Sequence, residues 1–389
     1  MNKAFYYAYA RHILDSALQV KEDDVLAINT EETNMEFARI LAEVMKERTD
    51  LGSYLMLVDG GKKGDTTELF SDYVMDQTPT VFVYLQSYKE YENVDELKEV
   101  DAPSLQRFRH LSSPLVLEKP NIIFATVPCP SDAWGKMLEE DGDISTAEDM
   151  ISDLLGFDEE EVEAIHKDIR EMTRYDNHNL NREKMFHCHV ETYDGMTDID
   201  FNFLPVSSFR SFEAETIAKR SFIPSLIATC HARPVSKLSA NGHVNVTRPF
   251  MLFGRKINHL SLTFQDGKIV SYETDEESSK LLERFFSLDE DNLRLSELII
   301  SDEGSRASGI DYTAYPEWDR LRTTHITLGQ AHSESIEYTD EDDALREGAA
   351  MSLSYLSLPI GNDEMSITLS DQDGNECEIM EDGMIKEDY

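Results

Sequence analysis

TVFVYLQS at residues 80–87 and NIIFATVP at residues 121–128 are the stretches that decide the fold. Each is a continuous apolar run of strand length, and DDVLAINT (23–30) and SYLMLVD (53–59) repeat the pattern. Helical segments separate these runs, the clearest being the amphipathic stretch NMEFARILAEVMKERT (34–49). Strands that alternate with helices predict a parallel sheet with helices on its faces.

The second half of the chain has a different pattern. MFHCHVETYDGMTDIDFNF (185–203) and HLSLTFQDGKIVSYET (259–274) alternate apolar and polar residues around Asp-Gly turns, which is typical of antiparallel hairpins. MSLSYLSLPIG (351–361) adds a further β segment. We therefore predict an α/β N-terminal domain with a parallel sheet over residues 1–180 and a β-rich α+β C-terminal domain over residues 181–389.

The charge balance narrows the possible partners. The 389 residues include 77 Asp and Glu against 36 Lys and Arg, which gives a net charge of −41. Such a chain repels phosphate backbones and anionic membrane surfaces, so we expect neither nucleic acid nor membrane as a partner. Cationic partners, divalent metals and neutral peptides remain compatible with this charge.

Targeting signals and cysteine usage indicate a compartment. Residues 1–30 carry charges throughout and lack the apolar core of a signal peptide, and no stretch reaches the length of a membrane span. The four cysteines are scattered without a CxxC spacing, so we interpret them as reduced thiols. These features favour a cytoplasmic protein.

His187-Cys188-His189 is the tightest group of candidate metal ligands. In a strand, residues 187 and 189 point to one face, so both imidazoles can converge on one ion while Cys188 points away. Cys230-His231 adds ligands only if the fold brings it close. The alternative is that these histidines are ordinary surface or core residues.

A second candidate group lies within residues 293–332. Glu297 stands among apolar residues in LSELII, and a buried carboxylate needs a partner or a metal. The alternative is that Glu297 is the exposed position of a short strand. His325 and His332 are seven residues apart and would share a face of a continuous helix, although Gly329 interrupts it. Two histidines and one glutamate form a credible ligand set.

Five segments, spread over nearly the whole chain, occur in an order typical of one family. They are YARHILDSALQVKEDDVLAINT (9–30), WGKMLEEDGD (134–143), LSELII (295–300), THITLGQAH (324–332) and LSLPIG (356–361). In these segments and their order the chain resembles the aminopeptidase T-like metallopeptidases. The resemblance implies the two-domain fold predicted above, a homodimer built through the β-rich half, and two metal ions bound by carboxylates and histidines. Glu297 and His325 match metal-ligand positions of that family.

Other positions depart from the family's pattern. Arg320 stands where the family has a glutamate, and His332 where it has a tyrosine. Ile223-Pro224 is followed by Ser225 rather than by the first metal-binding glutamate, and Tyr355-Leu356-Ser357 replaces the closing His-x-Asp. A permanent cation at residue 320 repels a metal and can instead pair with Glu297.

Two functional hypotheses follow. In the first, the chain binds a peptide or amino-acid-derived ligand in an aminopeptidase-like cleft without classical dinuclear cleavage, and Arg320 and Ser357 contact the ligand. The alternative is a metal-dependent enzyme with a rebuilt mononuclear site. That site uses Glu297, His325 and His332, with His231 as a further candidate, and such a 2-His-1-carboxylate set suits one zinc or iron ion. Glu297 and His325 are the metal ligands we expect first, and His332 and Tyr355 are also the candidate catalytic residues.

Overall fold

The computed structural model describes residues 2–49, 53–57, 79–87, 121–181, 184–205, 207–331 and 348–386. These residues form two compact units. The first contains the described residues up to 87 together with residues 121–170 and 212–228; the second contains the described residues of 171–211 and 229–386. Within the described ranges, no helix is long and apolar enough to cross a membrane.

The first unit is built on the predicted parallel sheet. Its strands are β1 (Leu26–Thr30), β2 (Ser53–Leu57), β3 (Val81–Ser87) and β4 (Ile123–Cys129), hydrogen-bonded in the order β2-β1-β3-β4. All three pairings are parallel. Every residue of β4 is buried, which explains why its sequence is continuously apolar rather than alternating. The α/β prediction for this part of the chain is confirmed.

Helices follow or precede these strands along the chain. They are α1 (Lys3–Arg11), α2 (Met35–Met45), α3 (Asp132–Leu138), α4 (Ile144–Leu155) and α5 (Val162–Leu180), and a π-helical turn, His12–Ala17, continues α1. Tyr9 of α1 stacks on Phe37 of α2, with ring centroids 5.4 Å apart. Asp143 begins α4 with a capping box, and Gly156 ends it in the left-handed conformation.

Residues 212–228 belong to the first unit although residues 171–211, which belong to the second unit, separate them from the rest of it in the chain. Pro224 accepts a hydrogen bond from the Thr126 amide at 3.0 Å, and the Ile223 amide donates to Ala17 at 2.9 Å. These are long-range backbone contacts that leave no local pattern in the sequence. The domain bounds 1–180 and 181–389 stay a prediction.

The second unit contains two antiparallel sheets. The strands of the five-stranded sheet, in hydrogen-bonded order, are β18 (Met351–Pro359), β17 (His325–Gln330), β16 (Leu295–Ile300), β10 (His231–Pro234) and β7 (Arg210–Ser211). The eight-stranded sheet runs β15 (Lys268–Glu273), β14 (Ser261–Gln265), β11 (Asn241–Asn245), β6 (Asp198–Asn202), β5 (His187–Thr192), β19 (Met365–Ser370), β20 (Glu376–Glu381) and β21 (Met384–Ile385). The predicted β-rich C-terminal half is confirmed.

The described residues contain two further pairs of short strands and two further α-helices. They are the two-stranded pairs β8 (Ala214–Glu215) with β9 (Ser221–Phe222) and β12 (Phe250–Leu252) with β13 (Arg255–Ile257), and the helices α6 (Glu276–Leu288) and α7 (Pro316–Asp319).

One apolar core joins the two large sheets. Leu298, Ile326 and Leu358 of the five-stranded sheet belong to the same buried cluster as Cys188 and Phe201 of the eight-stranded sheet. Because side chains alternate along a strand, this packing turns the neighbouring residues of each strand to the opposite face. The opposite faces carry the polar residues considered below.

Candidate functional site

The strand register places the main candidate residues on one face of the five-stranded sheet. Glu297 of β16 is opposite Thr327 of β17, and Thr327 is opposite Ser357 of β18. Residues opposite each other across antiparallel strands share a face, and the flanking Leu298 and Leu358 point into the core. Glu297, Thr327 and Ser357 therefore form a row across three strands.

Two further candidates share that face. His325 lies two residues before Thr327, and Tyr355 lies two residues before Ser357, opposite Gly329. We call the side chains of Glu297, His325, Thr327, Tyr355 and Ser357 the Glu297 face. Glu297 has no exposed surface, so the interpretation that it is an exposed strand position is wrong.

Arg320 and Glu317 extend the Glu297 face from the short helix α7 and the turn that follows it. The Tyr355 hydroxyl donates to Glu317 Oε1 at 3.2 Å. Burial and then the Glu317 carboxylate raise the pKa of Tyr355 well above its usual range; Arg320 lowers it, and Glu297 raises it further. Arg320 itself is only 3% exposed.

The pKa of Cys230 is influenced by the same two charged residues, Arg320 and Glu297. Burial raises the pKa of its thiol to about 12, with Arg320 acting to lower this pKa and Glu297 acting to raise it. Because Glu297 and Arg320 both influence Tyr355 and Cys230, the fold brings the two opposite charges into one buried region. The predicted proximity of Arg320 to Glu297 is consistent with this electrostatic pattern.

His325 is held as a neutral imidazole. Its Nδ1 lies 2.8 Å from the Thr323 carbonyl oxygen, which fixes the N–H on Nδ1 and leaves a lone pair on Nε2. Burial first, then Arg322, Arg320 and Arg248, lower the pKa of His325 well below its usual range. The ring is thus an acceptor in cationic surroundings.

Two of those arginines, Arg322 and Arg248, form ion pairs with nearby carboxylates. Arg322 pairs with Asp319 at 3.1 Å, and Arg248 pairs with Glu303 at 2.6 Å. Each pair is mostly buried, so the guanidinium charges remain close to His325 but are locally compensated.

A small cavity adjoins the Glu297 face. It has a volume of about 30 Å³, and its lining includes Tyr355, Ser357, Asp319 and the rings of Phe250 and Phe285. A space of this size holds about one water molecule. Most of its lining is apolar, so the polar groups of Tyr355 and Ser357 at its wall set the orientation of anything that enters.

The remaining candidates lie elsewhere. His231 is opposite Ile300, which points into the core, so the register turns His231 to the other side of the sheet from Glu297. His332 lies outside the described residues. His187 and His189 share a face of β5 as predicted, and Cys188 between them is buried in the core.

The chain combines an α/β unit with a β-rich unit, and two strands of the β-rich unit carry buried ionisable groups, His325 and Tyr355, with shifted pKa values. Buried groups with shifted pKa values are typical of functional sites. The chain belongs to the family described as thermophilic metalloprotease (M29), whose sequence profile matches residues 4–385. The resemblance to the aminopeptidase T-like metallopeptidases is thereby confirmed.

Curated relatives match a shorter part of the chain. Aminopeptidase AmpS of Bacillus subtilis (strain 168) is 26% identical over 151 residues, which cover 38% of this chain and 37% of the relative. Aminopeptidase T of Thermus thermophilus is 28% identical over 145 residues, 36% of this chain and 35% of the relative. The matched segment thus spans little more than a third of each relative.

A solved structure matches the whole fold. Wild-type AmpT from Thermus thermophilus superposes with a TM-score of 0.78, covering 99% of this chain and 100% of that chain at 17% sequence identity. At this identity the likeness concerns the fold, and it confirms the predicted fold class.

The metal that the family description implies does not fit the Glu297 face as a pair of ions. Glu297 and the Nε2 lone pair of His325 have ligand character, but the charge of Arg320 acts on His325 and, together with Glu297, on Tyr355 and Cys230. Among the described residues, the His, Cys, Asp and Glu ligand atoms that approach one another closely enough for a metal form one group, His189 with Asp198 and Asp200, on the other large sheet.

Some residues of these sites were missed in the sequence. Glu317 and Thr327 carried no motif, and only strand register and the turn after α7 bring them to the Glu297 face. Asp198 and Asp200 had a signal: the hairpin of residues 185–203 alternates around Asp194-Gly195, and its register places Asp200 opposite His189.

Proposed function

We propose that this chain binds a peptide or amino-acid-derived ligand at the Glu297 face, without the dinuclear aminopeptidase chemistry that the family resemblance implies. The observation that carries the proposal is Arg320, buried within the electrostatic reach of Tyr355 and Cys230 together with Glu297. A guanidinium at this position opposes a dication and favours a carboxylate.

The surrounding groups suit the two ends of an amino acid. Arg320 can bind a ligand carboxylate in a bidentate manner, while Glu297 and Glu317 can accept hydrogen bonds from its ammonium group. Thr327 Oγ1 and Ser357 Oγ are buried hydroxyl oxygens that make no hydrogen bond within the described residues. Buried polar groups of this kind gain free energy when a ligand supplies the missing hydrogen bond.

The size of the cavity constrains the mode of binding. Because about 30 Å³ holds one water but not an amino acid, side chains of the Glu297 face must move when a ligand enters. We therefore expect slow association. Trp318 lies in α7, between Glu317 and Arg320, and its fluorescence is a local probe of this movement.

Binding is tested with a panel of free L-amino acids and dipeptides in the Trp134→Phe background, which leaves Trp318 as the one remaining tryptophan. Expected is a saturable fluorescence change with at least one compound, abolished by Arg320→Met and retained in Arg174→Met, an exposed arginine on α5. A response that survives Arg320→Met, or no response to any compound, contradicts the proposal.

A second measurement tests the alternative, a metal-dependent enzyme with a mononuclear site. Protein prepared without chelator is assayed on aminoacyl-p-nitroanilides with added zinc, cobalt or manganese. The proposal expects no release of nitroaniline above that of Glu297→Gln. Metal-dependent release that is lost in Glu297→Gln and His325→Gln would contradict the proposal and favour a metal-dependent enzyme, and one bound metal ion per chain would make its site mononuclear.

We also propose a cytoplasmic homodimer formed through the β-rich unit. Tyr193, Met196 and Met384 of that unit are large apolar side chains that are 65%, 50% and 53% exposed, and a subunit contact through this unit would bury them. Two chains of net charge −41 repel each other, so the dimer should strengthen with salt. Light scattering across salt concentrations tests this, and a monomer that persists at high salt contradicts it.

A further inference from the structure

The open face of the eight-stranded sheet carries a group of imidazoles and carboxylates that the proposed function does not use. We propose that His187, His189, Asp198 and Asp200, the His189 cluster, bind one divalent transition-metal ion of the zinc class. The proposal is independent of ligand binding at the Glu297 face, because the two groups lie on different sheets.

The register of one hairpin assembles the His189 cluster. His189 of β5 is opposite Asp200 of β6, and Glu191 is opposite Asp198. With a period of two residues, His187 falls on the same face as His189. The intervening Cys188 and Val190 are buried in the core, which fixes the direction of the histidines toward solvent.

The ligand atoms are already close. Asp200 Oδ1 lies 2.9 Å from His187 Nε2 and 3.2 Å from His189 Nδ1. Ligand atoms of His189, Asp198 and Asp200 all lie within 4.8 Å of one another. Metal–ligand distances of about 2.0–2.2 Å in a tetrahedral zinc site set the ligand atoms about 3.3 Å apart. Side-chain rotations that shift the ligand atoms by about 1 Å therefore bring them to the spacing of a zinc site.

The hydrogen bonds around His187 point to a cation. Its Nδ1 lies 3.0 Å from Asn202 Oδ1, while its Nε2 faces Asp200 Oδ1, so each ring nitrogen meets an acceptor oxygen. Two acceptors suit an imidazolium, which donates from both nitrogens, and they suit equally a neutral ring whose Nδ1–H donates to Asn202 while its Nε2 lone pair binds a metal shared with Asp200. In the second arrangement Asn202 orients the ring as the partners of metal-bound histidines do.

Local charge also suits a dication. Within the described residues, Asp200 pairs only with the two histidines, and Asp198 makes no ion pair with lysine or arginine. Two carboxylates neutralise the charge of one dication, in contrast to the arginines around His325. Imidazole nitrogens favour zinc, cobalt, nickel and copper over calcium and magnesium.

The site would also link two central strands of the sheet. β5 and β6 are neighbours in the middle of the eight-stranded order, so a metal bound to both favours the folded state.

The test titrates zinc alone into tag-free, chelator-dialysed protein by calorimetry. Expected is one zinc per chain, with affinity reduced at least 100-fold in His189→Gln and in Asp200→Asn. Asn202→Ala, which removes only the orienting contact, should reduce affinity about 10- to 100-fold. His259→Gln, an exposed histidine outside the cluster, is the matched control and should bind as the parent does. Circular dichroism confirms that each variant is folded.

Cobalt substitution identifies the donors. Co²⁺ should give visible absorption bands in the parent protein that weaken in His187→Gln and His189→Gln and persist in Glu297→Gln. The proposal is overturned if the parent binds zinc no better than His189→Gln, or if binding is lost in Glu297→Gln or His325→Gln. It is also overturned if calcium binds as tightly as zinc, since imidazoles would then not be ligands.

Discussion

The pair of Asp24 and Arg220 gives the sharpest test of how residues 212–228 are held in the first unit. Arg220 Nη1 donates to Asp24 Oδ1 at 2.8 Å and Nη2 donates to Oδ2 at 2.6 Å, across 196 residues of sequence. The two side chains are 9% and 4% exposed. Asp24→Asn removes the negative charge and leaves the guanidinium buried without its counter-ion.

The expected cost follows from what remains around Arg220. Breaking a buried ion pair by removing one partner costs about 3–5 kcal/mol. Arg220 Nη2 also donates to the Gln19 carbonyl at 3.1 Å and keeps that contact in the variant, so we expect the lower end, about 3 kcal/mol. With a urea dependence of about 2 kcal/mol per molar, the unfolding midpoint should fall by about 1.5 M.

The two tryptophans allow each unit to be followed separately. Trp134 is buried in the first unit and Trp318 in the second, so fluorescence in a Trp318→Phe background follows the first unit during urea unfolding. Glu215→Gln is the matched control on the same segment, because Glu215 pairs with Lys219 in an exposed contact. It should cost less than about 1 kcal/mol. Equal midpoints for Asp24→Asn and Glu215→Gln would refute the reasoning.

Three further changes have defined outcomes. Gly329→Ala places a Cβ 2.4 Å from the Ser354 carbonyl oxygen at φ +91°, so the unfolding free energy from thermal unfolding should fall by about 3 kcal/mol or more. Gly374 has a similar φ of +82° but open space around it, so Gly374→Ala should lower the unfolding free energy by only about 1 kcal/mol. Tyr355→Phe removes the hydroxyl donor to buried Glu317 and should lower the unfolding free energy by about 1.5–3 kcal/mol, measured in urea. Burial lowers the pKa of His231 to about 4, so its contribution to stability should fall by about 1.4 kcal/mol per pH unit as pH drops from about 6.5 to 4, and His231→Gln should flatten that slope in urea titrations.

Each of these has an outcome that contradicts it. The glycine prediction fails if both alanine variants unfold at the same temperature. The tyrosine prediction fails if phenylalanine is neutral. The unfolding free energy should fall with falling pH because His231 is neutral in the folded protein. In the unfolded chain this imidazole takes up a proton more readily, so acid favours unfolding. An unchanged pH slope in His231→Gln would contradict that assignment.

Local patterns predict the elements of this fold better than they predict its site. The parallel sheet was recoverable because continuous apolar runs such as residues 121–128 are the signature of strands buried on both faces. The alternation of His187 and His189 was recoverable for a similar reason, since strand period fixes faces. The partners Asp198 and Asp200 needed one further step, the register of the hairpin.

What the sequence could not predict depends on contacts distant in the chain. The backbone contacts of residues 212–228 with Ala17 and Thr126 have no local signal, because any extended segment can make hydrogen bonds of this kind. The Arg220–Asp24 ion pair has none either, because many acids in this chain could be the partner of one arginine. The burial of Glu297 was undecidable for a different reason. A short strand with one acid has the same sequence pattern whether that acid faces water or the interior. Glu297 is buried because other segments pack over its face, among them the helix that carries Glu317, which contacts Tyr355.

Net charge does not decide where a cation binds in this chain. At −41, the whole molecule attracts cations over about a Debye length. On the face that matches the family's ligand positions, however, the charges of Arg322, Arg320 and Arg248 lower the pKa of His325. Inside the protein, nearby charges act through a lower dielectric than the distant surface acids and outweigh them. The His189 cluster has carboxylates without an arginine among its described ion pairs. The same long-range field therefore leads to opposite expectations at the two faces, and comparing zinc affinity in Glu297→Gln and Asp200→Asn measures that difference directly.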